Sequence, residues 1–180
     1  TDEFVDLYAE ELKAEGGVIS GEQFVDECQV ESDLELLLPA TYVTGSSERM
    51  LLYRELDSLT LDKDVEAFRN RLIDRFGPVP SETEELLRIV PLRRLAARLG
   101  AEKVFLKGGR MSLFFISNPE SPYYQSQAFG KVIAYMMKYT RRCDLREQNT
   151  RRSMLVKDVK NVETAVGVLQ EIVAMQVEEG

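Results

Sequence analysis

Residues 62–80, DKDVEAFRNRLIDRFGPVP, constrain the fold more than any other stretch. Val65, Phe68, Leu72, Ile73 and Phe76 recur at spacings of three and four, which puts them on one face of a helix. Glu66, Asn70, Arg71 and Asp74 fall on the other faces and are expected to be wet. Gly77 can adopt the positive φ that closes a helix, and Pro78 forbids its continuation. Pro80 leads into Ser81, and Ser81-x-x-Glu84 reads as a capping box that starts the next helix. The stretch therefore specifies two helices joined by a rigid corner.

The remaining elements are placed around that corner. Residues 2–14 read as a helix with Phe4, Val5, Leu7, Tyr8 and Leu12 among acids. Residues 20–28 read as a second short helix anchored by Phe24 and Val25. From Val30 to Leu38 apolar and acidic residues alternate, as in a strand with one buried face, and Pro39 ends it. Gly45-Ser46-Ser47 precedes a helix from Glu48 to about Leu59, with Leu52, Leu56 and Leu59 as its stripe. The helix from Ser81 to Leu99 contains Pro91, which is expected to kink or split it, and Gly100 closes it. Lys103–Lys107 and Arg110–Ile116 flank Gly108-Gly109, a pair suited to a primed hairpin turn. Ser121 and Pro122 open a helix carrying Phe129, Val132, Ile133, Met136 and Met137. Residues 141–146 and 153–157 read as strands, with Arg151 and Arg152 in the loop between them. Asn161 caps a last helix. The expected class is α+β: helices packed on a small, mostly antiparallel sheet with a Gly-Gly hairpin.

The formal charge of −8 is uneven. Residues 1–36 carry 12 acidic side chains and one Lys, and the other 144 residues carry 22 basic and 19 acidic ones. This divides the chain into an acidic helical extension, residues 1–28, and an α+β body, residues 29–180. A body so close to neutral does not favour direct DNA binding. No apolar run approaches the ~20 residues of a membrane span. Two cysteines, Cys28 and Cys143, are too few for a disulfide framework and lack zinc-site spacing. A cytoplasmic setting fits, and no signal peptide is visible. The chain begins at Thr1 rather than at a methionine, so it is expected to be a piece of a longer protein.

Catalytic chemistry is hard to place. The chain has no histidine, the commonest general base and a main metal ligand. No phosphate-binding loop and no dinucleotide fingerprint are present. Glu84-Glu85 and Asp62/Asp64 sit at helix starts, where they complement the dipole. No aromatic-plus-basic ladder for single strands is visible. No metal site and no cofactor are expected in this domain.

Three blocks carry a resemblance. They are Arg49-x-x-x-Tyr53-Arg54, then Leu72-Ile73-Asp74-Arg75-Phe76-Gly77 with Pro80, then Leu92-Arg93 through Leu99-Gly100-Ala101-x-Lys103. Together they resemble the C-terminal domain of bacterial transcription-repair coupling factor, over about Val30–Val104. The resemblance implies a parent that is an ATP- and Mg-dependent DNA translocase, which displaces stalled RNA polymerase and recruits the excision-repair protein UvrA. It implies that this domain is a non-catalytic, autoinhibitory one, docking on the parent's N-terminal module and masking the UvrA-binding surface. The docking residues it points to are Asp74, Arg71, Arg75, Asn70 and Glu66. Asp74 matches an acidic family position and is read either as a docking contact or as a solvated helix acid. Arg75 matches too, as a contact or as a partner of nearby helices. Arg71 departs from the family, where Glu is common. A second reading is an auxiliary DNA-contacting domain using Arg88, Arg93, Arg94, Arg98, Arg151 and Arg152; a solvated helix face is the plainer explanation for the first four.

Overall fold

The computed structural model describes residues 24–177. In chain order they form β1 (Gln29–Ser32), α1 (Ser46–Ser58), α2 (Asp62–Phe76), α3 (Ser81–Arg98), β2 (Ala101–Lys107) and β3 (Arg110–Phe115). A 3-10 turn (Pro122–Gln125), α4 (Gln127–Lys138), β4 (Cys143–Gln148), β5 (Arg151–Val156) and α5 (Val162–Ala174) complete them. The five strands make one sheet in the order β1-β2-β3-β5-β4. Only β1 and β2 pair in parallel; the other three pairings are antiparallel. The class is therefore α+β. Gly108 and Gly109 connect β2 to β3 with φ of +61° and +73°.

Two apolar cores are present, and α3 belongs to both. The inner face of the sheet (Val104, Leu106, Met111, Leu113, Phe115, Met154 and Val156) packs with α4, α5 and the second half of α3. Leu38, Val43, Leu56, Phe68, Leu72, Leu87 and Val90 form a separate helical core. Along α3, Leu87 and Val90 serve the helical core, while Leu92, Leu95 and Ala96 serve the sheet core. The change of allegiance falls at Pro91. The helix runs unbroken through that proline, because packing on both sides outweighs the one backbone hydrogen bond a proline removes.

Several expectations change. The strand expected over 30–38 pairs only as far as Ser32, opposite Leu106. Just beyond, β2 turns back through Gly108-Gly109, so the parallel ladder has no partner left. The alternation still reports burial: Leu34 and Leu36 pack on the sheet core and Leu38 enters the helical one. The helix expected over 2–14 lies outside the described residues, as does the start of that expected over 20–28. Residues 24–28 are not helical, yet Val25 and Cys28 are 5% and 2% exposed within the sheet core. The body thus begins before residue 29.

Ser81 is already the first helical residue of α3. Pro80 is its N-cap, without a side-chain cap. The expected capping box does not form, and the Glu84 carboxylate instead accepts from Arg69 Nε at 2.8 Å. The single helix expected after Ser121 is two elements: Ser121 caps the 3-10 turn and Ser126 caps α4. Arg151 and Arg152 belong to β5, because Asn149 and Thr150, both at positive φ, form the tight connection from β4. Asn161 accepts from the Thr164 amide at 2.7 Å and caps α5 as its residue type demands.

Candidate docking face

The exposed side of α2 is set by its buried side. Phe68 and Leu72 are each 1% exposed in the helical core, which contributes roughly 1.5–3 kcal/mol for each and fixes the rotation of the helix. Glu66, Asn70 and Asp74, spaced by four, then share one solvent-facing stripe. Ile73, assigned to the apolar face by spacing, lies at its edge and is 36% exposed.

The charges around that stripe are not equivalent. Arg71 hydrogen-bonds with both carboxylate oxygens of Glu55 on α1, Nη1 to Oε1 at 3.3 Å. Arg75 reaches Glu48 on α1 and lies 4.9 Å from the Phe76 ring centroid. These two bridges lace α1 to α2. Glu66 has only a 3.9 Å contact to Arg69. Asp74 and Asn70 are exposed, and neither has a side-chain hydrogen bond or ion pair among the described residues. The structure thus separates the five residues. Arg71 and Arg75 are held by α1, while Glu66, Asn70 and Asp74 stay available.

Two exposed apolar residues on α1 escaped the sequence. Met50 and Leu51 on α1 are 57% and 63% exposed. Leu51 lies one turn from both Glu48 and Glu55, so it borders the two bridges. A signal was present: two adjacent apolar residues stand off the Leu52/Leu56 stripe.

The motif residues at 49 and 53 fasten the chain entering α1. Arg49 Nη1 donates to the Val43 carbonyl at 2.7 Å, and the Tyr53 hydroxyl accepts from the Leu38 amide at 2.7 Å. Tyr42 donates to the Gly77 carbonyl at 2.8 Å, and Thr83, fully buried, donates to the Leu37 carbonyl at 2.8 Å. The corner is held from the segment that precedes α1.

The arginines offered as nucleic-acid contacts do not gather. Arg88 bridges Glu85 at 3.0 Å and Glu163 at 3.2 Å. Arg93 faces Asp57 at 3.8 Å. Arg94 grips both oxygens of Asp62 at 2.8 and 3.1 Å. Arg151 pairs with Glu102 at 3.3 Å, and Arg152 with Glu147 at 3.8 Å. Of the six, Arg98 alone has no acidic partner among the described residues.

A shallow cleft of about 260 Å³ lies between α2 and α3, lined among others by Glu66, Arg69, Glu84 and Arg88. Arg69 there pairs with Glu66 and Glu84, and Arg88 with Glu85 and Glu163 outside the lining. Among the described residues no cluster of His, Cys, Asp or Glu is placed to hold a metal ion, and no helix is long and apolar enough to cross a membrane. Burial pushes the Cys28 thiol up to about 12, against a smaller downward pull from Arg93. The thiolate is then scarce at neutral pH, and the sulfur is shielded within the core. Cys28 is therefore expected to react with a disulfide reagent only after denaturation; rapid labelling of native protein by mass spectrometry contradicts this.

A family profile for the TRCF domain matches residues 32–126, from the end of β1 to the cap of α4. The chain belongs to the TRCF domain family. A transcription-repair-coupling factor of Rickettsia bellii is 29% identical over 150 residues, covering 80% of this chain and 13% of that protein. One from Staphylococcus haemolyticus is 25% identical over 146 residues, covering 76% of this chain and 12% of that protein. The chain thus spans about an eighth of the length of these curated relatives. A crystal structure of the C-terminal domain of a transcription-repair coupling factor superposes with a TM-score of 0.62 at 17% identity. It covers 82% of this chain and 93% of the other, so the fold is shared over nearly the whole of that TRCF domain.

Proposed function

We propose that this TRCF domain is a non-catalytic regulatory domain of a transcription-repair coupling factor. It docks on the N-terminal module of its parent, masks the UvrA-binding surface there, and restrains an ATP- and Mg-dependent DNA translocase until RNA polymerase is engaged. The observation that carries this reading is the unpaired Asp74 on the outer stripe of α2, beside Arg71 and Arg75 that are tied to α1. With both guanidiniums turned to α1, the net charge offered by the stripe is that of Asp74 and Glu66. A basic surface on the N-terminal module complements it, with Leu51 and Ile73 as exposed apolar neighbours. A contact of this kind favours specificity and fast association over tight binding, as a releasable restraint requires.

The test is binding of this domain to the N-terminal module of its parent, followed by calorimetry or anisotropy, with and without Asp74→Arg. The reversal is expected to weaken binding about tenfold or more, with part of the loss in the association rate. Equal binding by both proteins removes Asp74 from the contact. No binding by the unmodified domain at low salt overturns the docking reading.

A further inference from the structure

The sheet has a second face. The inner positions of β2, β3 and β5 are buried in the core; of the alternate ones only Leu155, opposite Ser112, is buried. Lys103, Phe105, Ser112, Phe114 and Ser153 are half-buried, and Lys107 and Arg110 are exposed. Register brings Lys103 opposite Phe114 and Phe105 opposite Ser112. Phe105 and Phe114 therefore meet at the middle of this face, edge to face, with ring centroids 5.3 Å apart.

Cations surround the two rings. Lys103 and Lys107 place Nζ 5.0 and 5.2 Å from the Phe105 centroid, and the Arg151 guanidinium lies 5.6 Å from that of Phe114. Lys107 and Arg110, at the hairpin end, have no acidic partner among the described residues. The Lys103–Glu31 pair is 3.7 Å long with both side chains partly exposed, so an incoming phosphate displaces the carboxylate readily. Arg151 Nε is buried and has no acceptor, an unmet donor at the start of β5, beside Phe114. No run of sequence shows this arrangement, because the aromatic and basic residues come from three strands.

We propose that this outer sheet face binds single-stranded nucleic acid, with bases stacked on Phe105 and Phe114 and phosphates held by Lys103, Lys107, Arg110 and Arg151. Aromatic rings on neighbouring strands stack unpaired bases while basic side chains hold the phosphates; here Lys103, Lys107 and Arg151 lie over the rings and must swing out to the phosphates as a base stacks. A duplex keeps its bases stacked on each other and leaves the rings unused. The inference does not rest on the docking reading, since the outer stripe of α2 and the sheet face share no residue.

The test is fluorescence anisotropy of a labelled oligothymidylate titrated with the chain at low salt. Binding is expected to weaken with salt, with a log–log slope of about −2 for three or so neutralised phosphates. Phe105→Leu/Phe114→Leu keeps apolar strand residues but removes the stacking surface, and is expected to weaken binding about tenfold or more. Thermal melting checks that this variant is folded. Lys107→Glu/Arg110→Glu, at exposed hairpin positions, is expected to lose binding to a similar degree and stands in if the first variant does not fold. The proposal is overturned by no salt-sensitive binding, by both variants binding as the parent does, or by a duplex binding as tightly as the single strand. Oligouridylate titrated in parallel shows whether the strand held is DNA or RNA, the tighter binder naming it.

Discussion

Replacing Gly100 by Ala is expected to destabilise the domain by about 3 kcal/mol or more, the largest effect of a methyl group added at any of the described glycines. Two independent strains add at this position. Gly100 has φ of +86°, in the left-handed half of the map, which costs roughly 1–2 kcal/mol for a residue with a Cβ. A Cβ built there also lies 2.0 Å from Cε1 of Tyr123 and 2.4 Å from its Cζ. Tyr123 cannot step aside. It is fully buried, its hydroxyl donates to the Leu99 carbonyl, and its ring touches Phe24, Phe115, Tyr124 and Phe129. Overpacking of a filled core adds a further ~1–3 kcal/mol. Gly108→Ala separates the terms, because Gly108 has φ of +61° but nothing within 4 Å of its added Cβ. That variant is expected to lose only about 1–2 kcal/mol. Urea unfolding followed by circular dichroism reads both. Equal losses at Gly100 and Gly108 show that the Tyr123 contact relaxes without cost and refute the packing argument.

Gly100 also shows which parts of the fold local sequence carries. That a glycine after Leu99 closes α3 follows from residue type and period. That it must remain glycine follows from Tyr123, which arrives only after the whole β2–β3 hairpin. The same divide runs through the whole chain. The α2–corner–α3 unit is legible because its apolar spacing and its Gly/Pro stop act within a few residues. The β1–β2 pairing is parallel and joins residues about seventy positions apart, and nothing in Val30–Leu38 announces where its partner ends. Capping signals divide the same way: Asn161 caps its own helix, whereas Ser81 and Glu84 fit a capping box and do not make one, because Pro80 takes the cap and Arg69 takes the carboxylate. On the docking face, helical period suffices to expose Glu66, Asn70 and Asp74. The diversion of Arg71 and Arg75 needs Glu55 and Glu48, which belong to another helix. The ring pair of the outer sheet face was hidden for the same reason.

Glu85 extends that argument to a residue whose role its own helix disguises. On α3 it is one more acid of the first turns. In the fold its Oε1 accepts from the Val162 amide at 2.8 Å and its Oε2 from the Glu163 amide at 3.0 Å, at the start of α5. Those amides have no partner within α5, and a carboxylate there also meets the positive end of the helix dipole. Asn161 serves only the Thr164 amide, so the two caps divide the orphan donors between them. Arg88 holds the Glu85 carboxylate from one turn further on, at 3.0 Å, and reaches Glu163 as well. Glu85→Ala is therefore expected to cost about 2 kcal/mol, since hydrogen bonds to a charged acceptor contribute more than neutral ones. Glu85→Gln keeps one acceptor oxygen and is expected to lose about half of that. Hydrogen exchange locates the effect: the Val162 and Glu163 amides should lose protection in Glu85→Ala while the amides of α2 keep theirs. Unchanged protection at Val162 and Glu163 means that water replaces the carboxylate at no loss. The coupling has a structural consequence, because α3 then carries the helical core on one half, the sheet core on the other, and the cap of α5 on its first turns. Weakening that cap loosens α5 against α3 without touching Phe68 or Leu72, so the rotation of α2, and with it the placement of Asp74, is expected to survive.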